Sequence, residues 1–221
     1  MSYESGMPMH LAGTAMTWGT VWLLTPMIPV AVLMTLSTSN PGMIDAAGTH
    51  WEECRTKLEE YKNDLTTLKK QFDADDENWT ADDKLYFDHA VEAYVDELDK
   101  LHTTIKTVED LAKLVAKIFF GLCIFVLAVG GAVLAIALAT IAQLPIPIVG
   151  ELAYSLAQTA ALMIMETSLP AFTGVQTALL GFGAIATAVA GGAWGADLIT
   201  LGSPEPNFKD VTISMPSGPL K

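Results

Sequence analysis

Apolar residues recur every three and four positions over two long stretches of the chain. The first stretch runs Ile44, Ala47, Trp51, Cys54, Leu58, Tyr61, Leu65, Leu68 and Phe72. The second runs Phe87, Val91, Tyr94, Leu98, Leu101, Ile105, Val108, Ala112 and Val115. A sustained period of 3.5 residues marks helices that bury one narrow seam against a partner helix. Only Asp73 to Thr80 separates the stripes, so the nearest partner for each is the other, folded back antiparallel. The pattern predicts a helical hairpin over residues 43–116.

Long uncharged runs flank the hairpin. Residues 5–44 contain no Asp, Glu, Lys or Arg. Their apolar part, Ala15 to Leu36, has the ~20-residue length of a helix that crosses a bilayer. Pro26 and Pro29 predict kinks in that span, and Trp18 and Trp22 suit a membrane interface. Ser37 to Gly42 then reads as a polar stop. The second arm has no stop signal at its end. Lys113 and Lys117 mark the expected membrane boundary, and no charge follows from Ile118 to Gly150, so one helix is expected to pass from hairpin to bilayer. Pro145 to Gly150 predicts a turn. Leu152 to Met165 is short for a span and fits a re-entrant or buried helix, with Pro170 expected to break it. Phe172 to Ala196 is a further uncharged run, and the Pro-, Ser- and Gly-rich tail is expected to be loosely ordered.

The predicted organisation is therefore an N-terminal apolar, membrane-spanning segment (1–42), an acidic helical hairpin (43–116), apolar membrane helices (117–200) and a Pro-rich tail (201–221). The fold class is all-α: an antiparallel coiled-coil hairpin on a base of three to four transmembrane or apolar helices.

Charge sharpens that division. The 221 residues are 51% hydrophobic and 17% charged, against roughly 25% charged in ordinary soluble domains. Residues 43–110 hold 19 acidic and 8 basic side chains, leaving 6 acidic and 4 basic for the rest of the chain. With no basic stripe to neutralise phosphates, nucleic acid is not an expected partner. Cys54 and Cys123 read as small hydrophobes rather than a disulfide framework. His50 and Cys54 stand four residues apart on one predicted helix, but the ligand count stops at two. No catalytic constellation, cofactor cradle or metal site is expected, and an enzyme is the least expected class. The N-terminal MSYESGMPMH lacks the basic residues of a secretory signal.

Small residues form two rows in the last apolar run. Gly183, Thr187, Gly191 and Gly195 recur every four residues, beside Ala184, Ala188, Gly192 and Ala196. Such rows let membrane helices approach closely. They predict either packing within the chain or self-association into an oligomer.

At the expected hairpin turn stand Trp79, Thr80 and Ala81. Together with the paired helices, the acidic surface, and Phe87, Val91 and Tyr94 early in the second arm, this resembles the WxG helical-hairpin proteins of type VII (ESX) secretion. The resemblance covers about residues 43–116. Ala81 replaces the family's glycine, and its secretion motif is out of register: Tyr94 is followed four residues on by Leu98. The resemblance implies export without a cleaved signal and insertion into a target membrane. The expected function is a membrane-inserting, self-associating, pore-forming effector whose partners are a lipid bilayer and further copies of itself. The alternative is a resident multi-pass membrane subunit whose acidic stalk recruits a partner protein.

Overall fold

The computed structural model describes residues 2–74 and 83–194, with side chains over 2–73 and 84–185. The described chain is all-α. Five α-helices follow in order: α1 (Gly6–Thr20), α2 (Ile28–Leu36), α3 (Pro41–Ala74), α4 (Asp83–Gln143) and α5 (Val149–Trp194), with short 3-10 turns before α1 and α2. No strand occurs among the described residues. The chain divides into two compact units, one of Met1–Ala47 and Leu111–Gly183, the other of Gly48–Asp110 and Ala184–Lys221. We call the first the apolar unit and the second the charged unit.

In the apolar unit, the single kinked span expected over Ala15 to Leu36 is not formed. The chain leaves α1 after Thr20 and folds back as α2. Both prolines sit in the first turn of a short helix, Pro26 in the 3-10 turn Thr25–Met27 and Pro29 in α2. At that position a missing N–H costs nothing, because the first helical donors have no intrahelical acceptor. The prolines therefore start helices rather than kink one. The core gathers Leu24, Met27, Val30 and Met34 against Val126 and Val133 of α4 and Ala161 and Phe172 of α5. On α4 the buried positions Leu122, Val126, Val129, Val133, Ala137 and Thr140 keep helical spacing within an otherwise uncharged run.

Pro170 does not break α5, which continues through it to Trp194. The buried residues Ala157, Ala161, Ser168 and Phe172 fall on one face at four- and seven-residue steps, on both sides of Pro170. Pro170 itself is exposed. Packing of that face on both sides of Pro170 offsets the lost hydrogen bond.

Between α4 and α5 the chain turns at Leu144 to Ile148. The Val149 amide donates to the Pro147 carbonyl at 2.8 Å, closing a three-residue turn whose central residue, Ile148, has φ +69°. Gly150 is required there, since a Cβ on it would lie 2.7 Å from the Leu144 carbonyl oxygen.

In the charged unit, α3 and α4 pair antiparallel. Arg55 bonds Glu109, Lys62 bonds Asp99, Lys69 bonds Glu92 and faces Asp88, and Asp73 faces Lys84. As the number rises along α3 it falls along α4. Phe72 and Phe87 meet edge to face at 6.0 Å near one end. Of the α4 stripe, Val91 and Leu98 are buried, Phe87, Leu101, Ile105 and Val108 half-buried, and Tyr94 exposed. The α3 stripe is less covered. Leu58 and Leu65 are half-buried, but Trp51, Cys54, Tyr61 and Leu68 are exposed. The residues turned toward α4 are instead Arg55, Lys62 and Lys69, each one step past a predicted seam residue. The carboxylates of α4 draw this basic flank inward and rotate the apolar stripe outward. Hydrogen bonding to Glu109 raises the pKa of Arg55. The bond to Lys69 lowers that of Glu92, and the same bond raises that of Lys69.

By length and composition, three segments are long and apolar enough to cross a membrane: Thr25–Asp73, Lys84–Gln143 and Val149–Ile185. In the first, the most apolar helix is α2, whose nine residues extend only about 14 Å. The continuous apolar helices belong to α4 and α5.

Candidate functional site: the buried polar face of the apolar unit

Helix α1 is amphipathic in the reverse of the usual sense. Its buried residues are Gly6, His10, Gly13, Thr14, Thr17 and Thr20. These steps of three and four place small and polar side chains on one inward face. The opposite face carries Met7, Leu11 and Trp18, all exposed, and Trp22 just beyond the helix is 67% exposed.

Glycine sets how closely this face approaches α4. A Cβ on Gly13 would stand 2.8 Å from the Leu127 Cα, and one on Gly130 would stand 2.7 Å from the Gly13 Cα. The two backbones cross in contact, which only a pair of glycines permits.

Of the polar groups on the inward face, His10 reaches backbone outside α1, while the hydroxyls of Thr17 and Thr20 bond carbonyls within it. A carbonyl can only accept, so His10 carries a proton on Nε2 and donates it to the Met34 carbonyl at 2.7 Å. That carbonyl lies in the last turn of α2, where helical donors run out. Ser37 and Thr38 also donate to it, at 3.2 and 3.4 Å. The Thr17 hydroxyl donates to the Gly13 carbonyl at 2.9 Å and lies 3.3 Å from the Met34 sulfur. Trp18 Nε1 donates to the Thr35 hydroxyl at 2.9 Å. On the far side of the fold-back, Gln158 of α5 donates to the Leu23 carbonyl at 2.6 Å. His10, Ser37 and Thr38 thus cap the C-terminal end of α2, and Gln158 caps the chain at the break between α1 and α2.

An apolar groove of about 220 Å³ opens beside this assembly. It is walled by Leu33 and Leu36 of α2, Phe119 and Leu122 of α4, and Phe172 and Val175 of α5, with Ser37, Thr38 and Gln176 at its polar edge.

The positions anticipated from sequence fall elsewhere. Gly183 lies on α5, and a Cβ there would meet no atom within 4 Å; Ala184 is exposed. Thr187, Ala188, Gly191 and Gly192 lie on α5 beyond the last described side chain, and Gly195 and Ala196 lie outside the described residues, as do Trp79, Thr80, Ala81 and the tail. Lys113 is half-buried and Lys117 exposed, both on uninterrupted α4. His50 approaches Glu53 at 3.4 Å, and both cysteines are free, Cys54 exposed and Cys123 buried. Among the described residues no three His, Cys, Asp or Glu side chains are grouped to hold a metal.

His10, Thr17 and Gln158 make internal hydrogen bonds that the sequence pattern did not single out. Their signal was present as polar residues at helical spacing inside an uncharged run, which a search for apolar periodicity overlooks.

No family model, curated protein or solved structure matches this chain.

Proposed function

We propose that the chain is a membrane-inserted, self-associating helical protein that permeabilises a target bilayer, its charged hairpin serving as carrier or docking stalk in the manner of the type VII hairpin proteins it resembles. The observation that carries this reading is the reversed polarity of α1. In water, a helix that buries threonine and histidine and exposes leucine and tryptophan forfeits the hydrophobic gain of folding. In hydrocarbon the preference is inverted, because every backbone carbonyl freed at a helix break needs an internal donor. His10, Ser37, Thr38 and Gln158 supply those donors. The outward side chains of α4 and α5, among them Leu138, Leu152 and Leu156 at about 60% exposure, suit the same solvent. The small-residue rows from Gly183 onward are the contact through which copies would assemble in lipid.

The test is reconstitution of purified full-length protein with dye-loaded vesicles, followed by carbonate extraction. The expected result is carbonate-resistant insertion with dye release. Leu138→Lys, on an outward position of α4, should block insertion, since lysine at a helix centre costs about 2.5–3.5 kcal/mol in the bilayer. Extraction of the wild-type protein by carbonate would overturn the membrane reading. Insertion without release would overturn permeabilisation alone.

A further inference from the structure

We propose that the apolar stripe left uncovered on α3 joins two copies of the chain, as an antiparallel pair of α3 helices related by a twofold axis between Glu59 and Glu60. This does not rest on the membrane reading, because it uses only the charged unit.

The stripe keeps its period of 3.5 residues, yet α4 covers only one side of it. Tyr61 is 70% exposed, Leu68 50% and Trp51 41%, and Cys54 is exposed between them. A heptad seam on an otherwise charged helix is a surface for another helix, and exposed aromatic residues at its centre are of the type that anchor protein contacts.

Charge selects the partner and its direction. On the flank away from α4, the positions beside the seam are His50, Lys57, Asp64 and Gln71. Lys57 and Asp64 are exposed. In an antiparallel pair with Leu58 level with Tyr61 of the second copy, Lys57 faces Asp64 of that copy. Symmetry makes the contact twice. The same register sets Trp51 against Leu68 and Cys54 against Leu65. On the other flank Arg55 and Lys62 approach across the axis, but each already holds a carboxylate of α4, Glu109 and Asp99. A parallel pair would instead set Lys57 against Lys62 and His50 against Arg55. The surface is therefore complementary to itself in one direction only.

The test uses full-length protein in mild detergent, with Cys123→Ser to leave Cys54 as the one thiol. Under mild oxidation, adding Leu65→Cys should give disulfide-linked dimers through positions 54 and 65, while Cys54 alone should not cross-link. Because the readout is specific to these positions, association through the membrane helices does not imitate it. Charge reversal gives a second measure on exposed residues that do not hold the fold. Lys57→Asp or Asp64→Lys alone should weaken dimerisation about tenfold by placing like charges across both contacts, and the two together should restore it. Cross-linking through Cys54 alone, absence of the position 54 to 65 disulfide, or single reversals without effect would each overturn the proposal.

Discussion

On α4 of the charged unit, Val91 and Leu98 are inside, and ion pairs from Arg55, Lys62 and Lys69 bridge it to α3. On α1 the order is reversed: His10, Thr14, Thr17 and Thr20 are inside, and Leu11 and Trp18 are outside. Two helices of one chain, α1 and α4, thus show opposite polarity on their buried faces. On the α4 face, burying a leucine contributes most and a solvated ion pair contributes little. The apolar unit combines a core of Leu24, Met27, Val30 and Met34 with the polar inward face of α1. There α1 meets α4 in close backbone contact at Gly13 and Gly130, and side chains donate to the Met34 and Leu23 carbonyls.

The largest effect should come from the glycine crossing. Gly13→Leu forces a side chain into the Leu127 backbone and should cost about 3 kcal/mol, seen as loss of hydrogen-exchange protection in α1 and the Leu111–Gln143 part of α4. Protection within Gly48–Asp110 should survive. Leu98→Ala should do the converse, costing about 2–3 kcal/mol and loosening the paired helices first. Equal loss in both regions for either variant would break the comparison.

Smaller effects sharpen it. Thr17→Val keeps shape and removes a hydroxyl bonded within its own helix, so thermal unfolding of detergent-extracted protein should shift by only about 1 kcal/mol. Acid should act on the charged unit. The folded-state pKa of Glu92 is lowered by Lys69, so its contribution is present above the unfolded value of about 4.3 and is lost as pH falls through the lowered folded value. Helicity of the paired region, followed by circular dichroism between pH 7 and pH 2, should fall slightly in wild type and less in Glu92→Gln.

The long charged helices were legible from the sequence; the helix limits around Pro26, Pro29 and Pro170, and most orientations, were not. The limits expected for the hairpin helices, and the passage of the second arm into the uncharged run, follow from heptad spacing and from the absence of any stop after Val115. The facing of α3 does not, because periodicity locates a stripe without telling what a flanking row of Arg55, Lys62 and Lys69 will do when carboxylates stand opposite. Pro26, Pro29 and Pro170 show the same limit. Two of them begin helices and one is carried within a helix, and tertiary packing decides which. The polar face of α1 was hidden for another reason: sequence patterns are usually read for where grease goes, and here the informative residues are those that are not greasy.

Ile148 adds a mechanical consequence. A β-branched residue held at positive φ stores about 1–2 kcal/mol that glycine in its place would not. Its side chain is 82% exposed, so burial there does not repay the strain. The bend between α4 and α5 is consequently a cocked joint with an oily tip, and any rearrangement that lets this corner unwind starts with a small push already stored in the backbone.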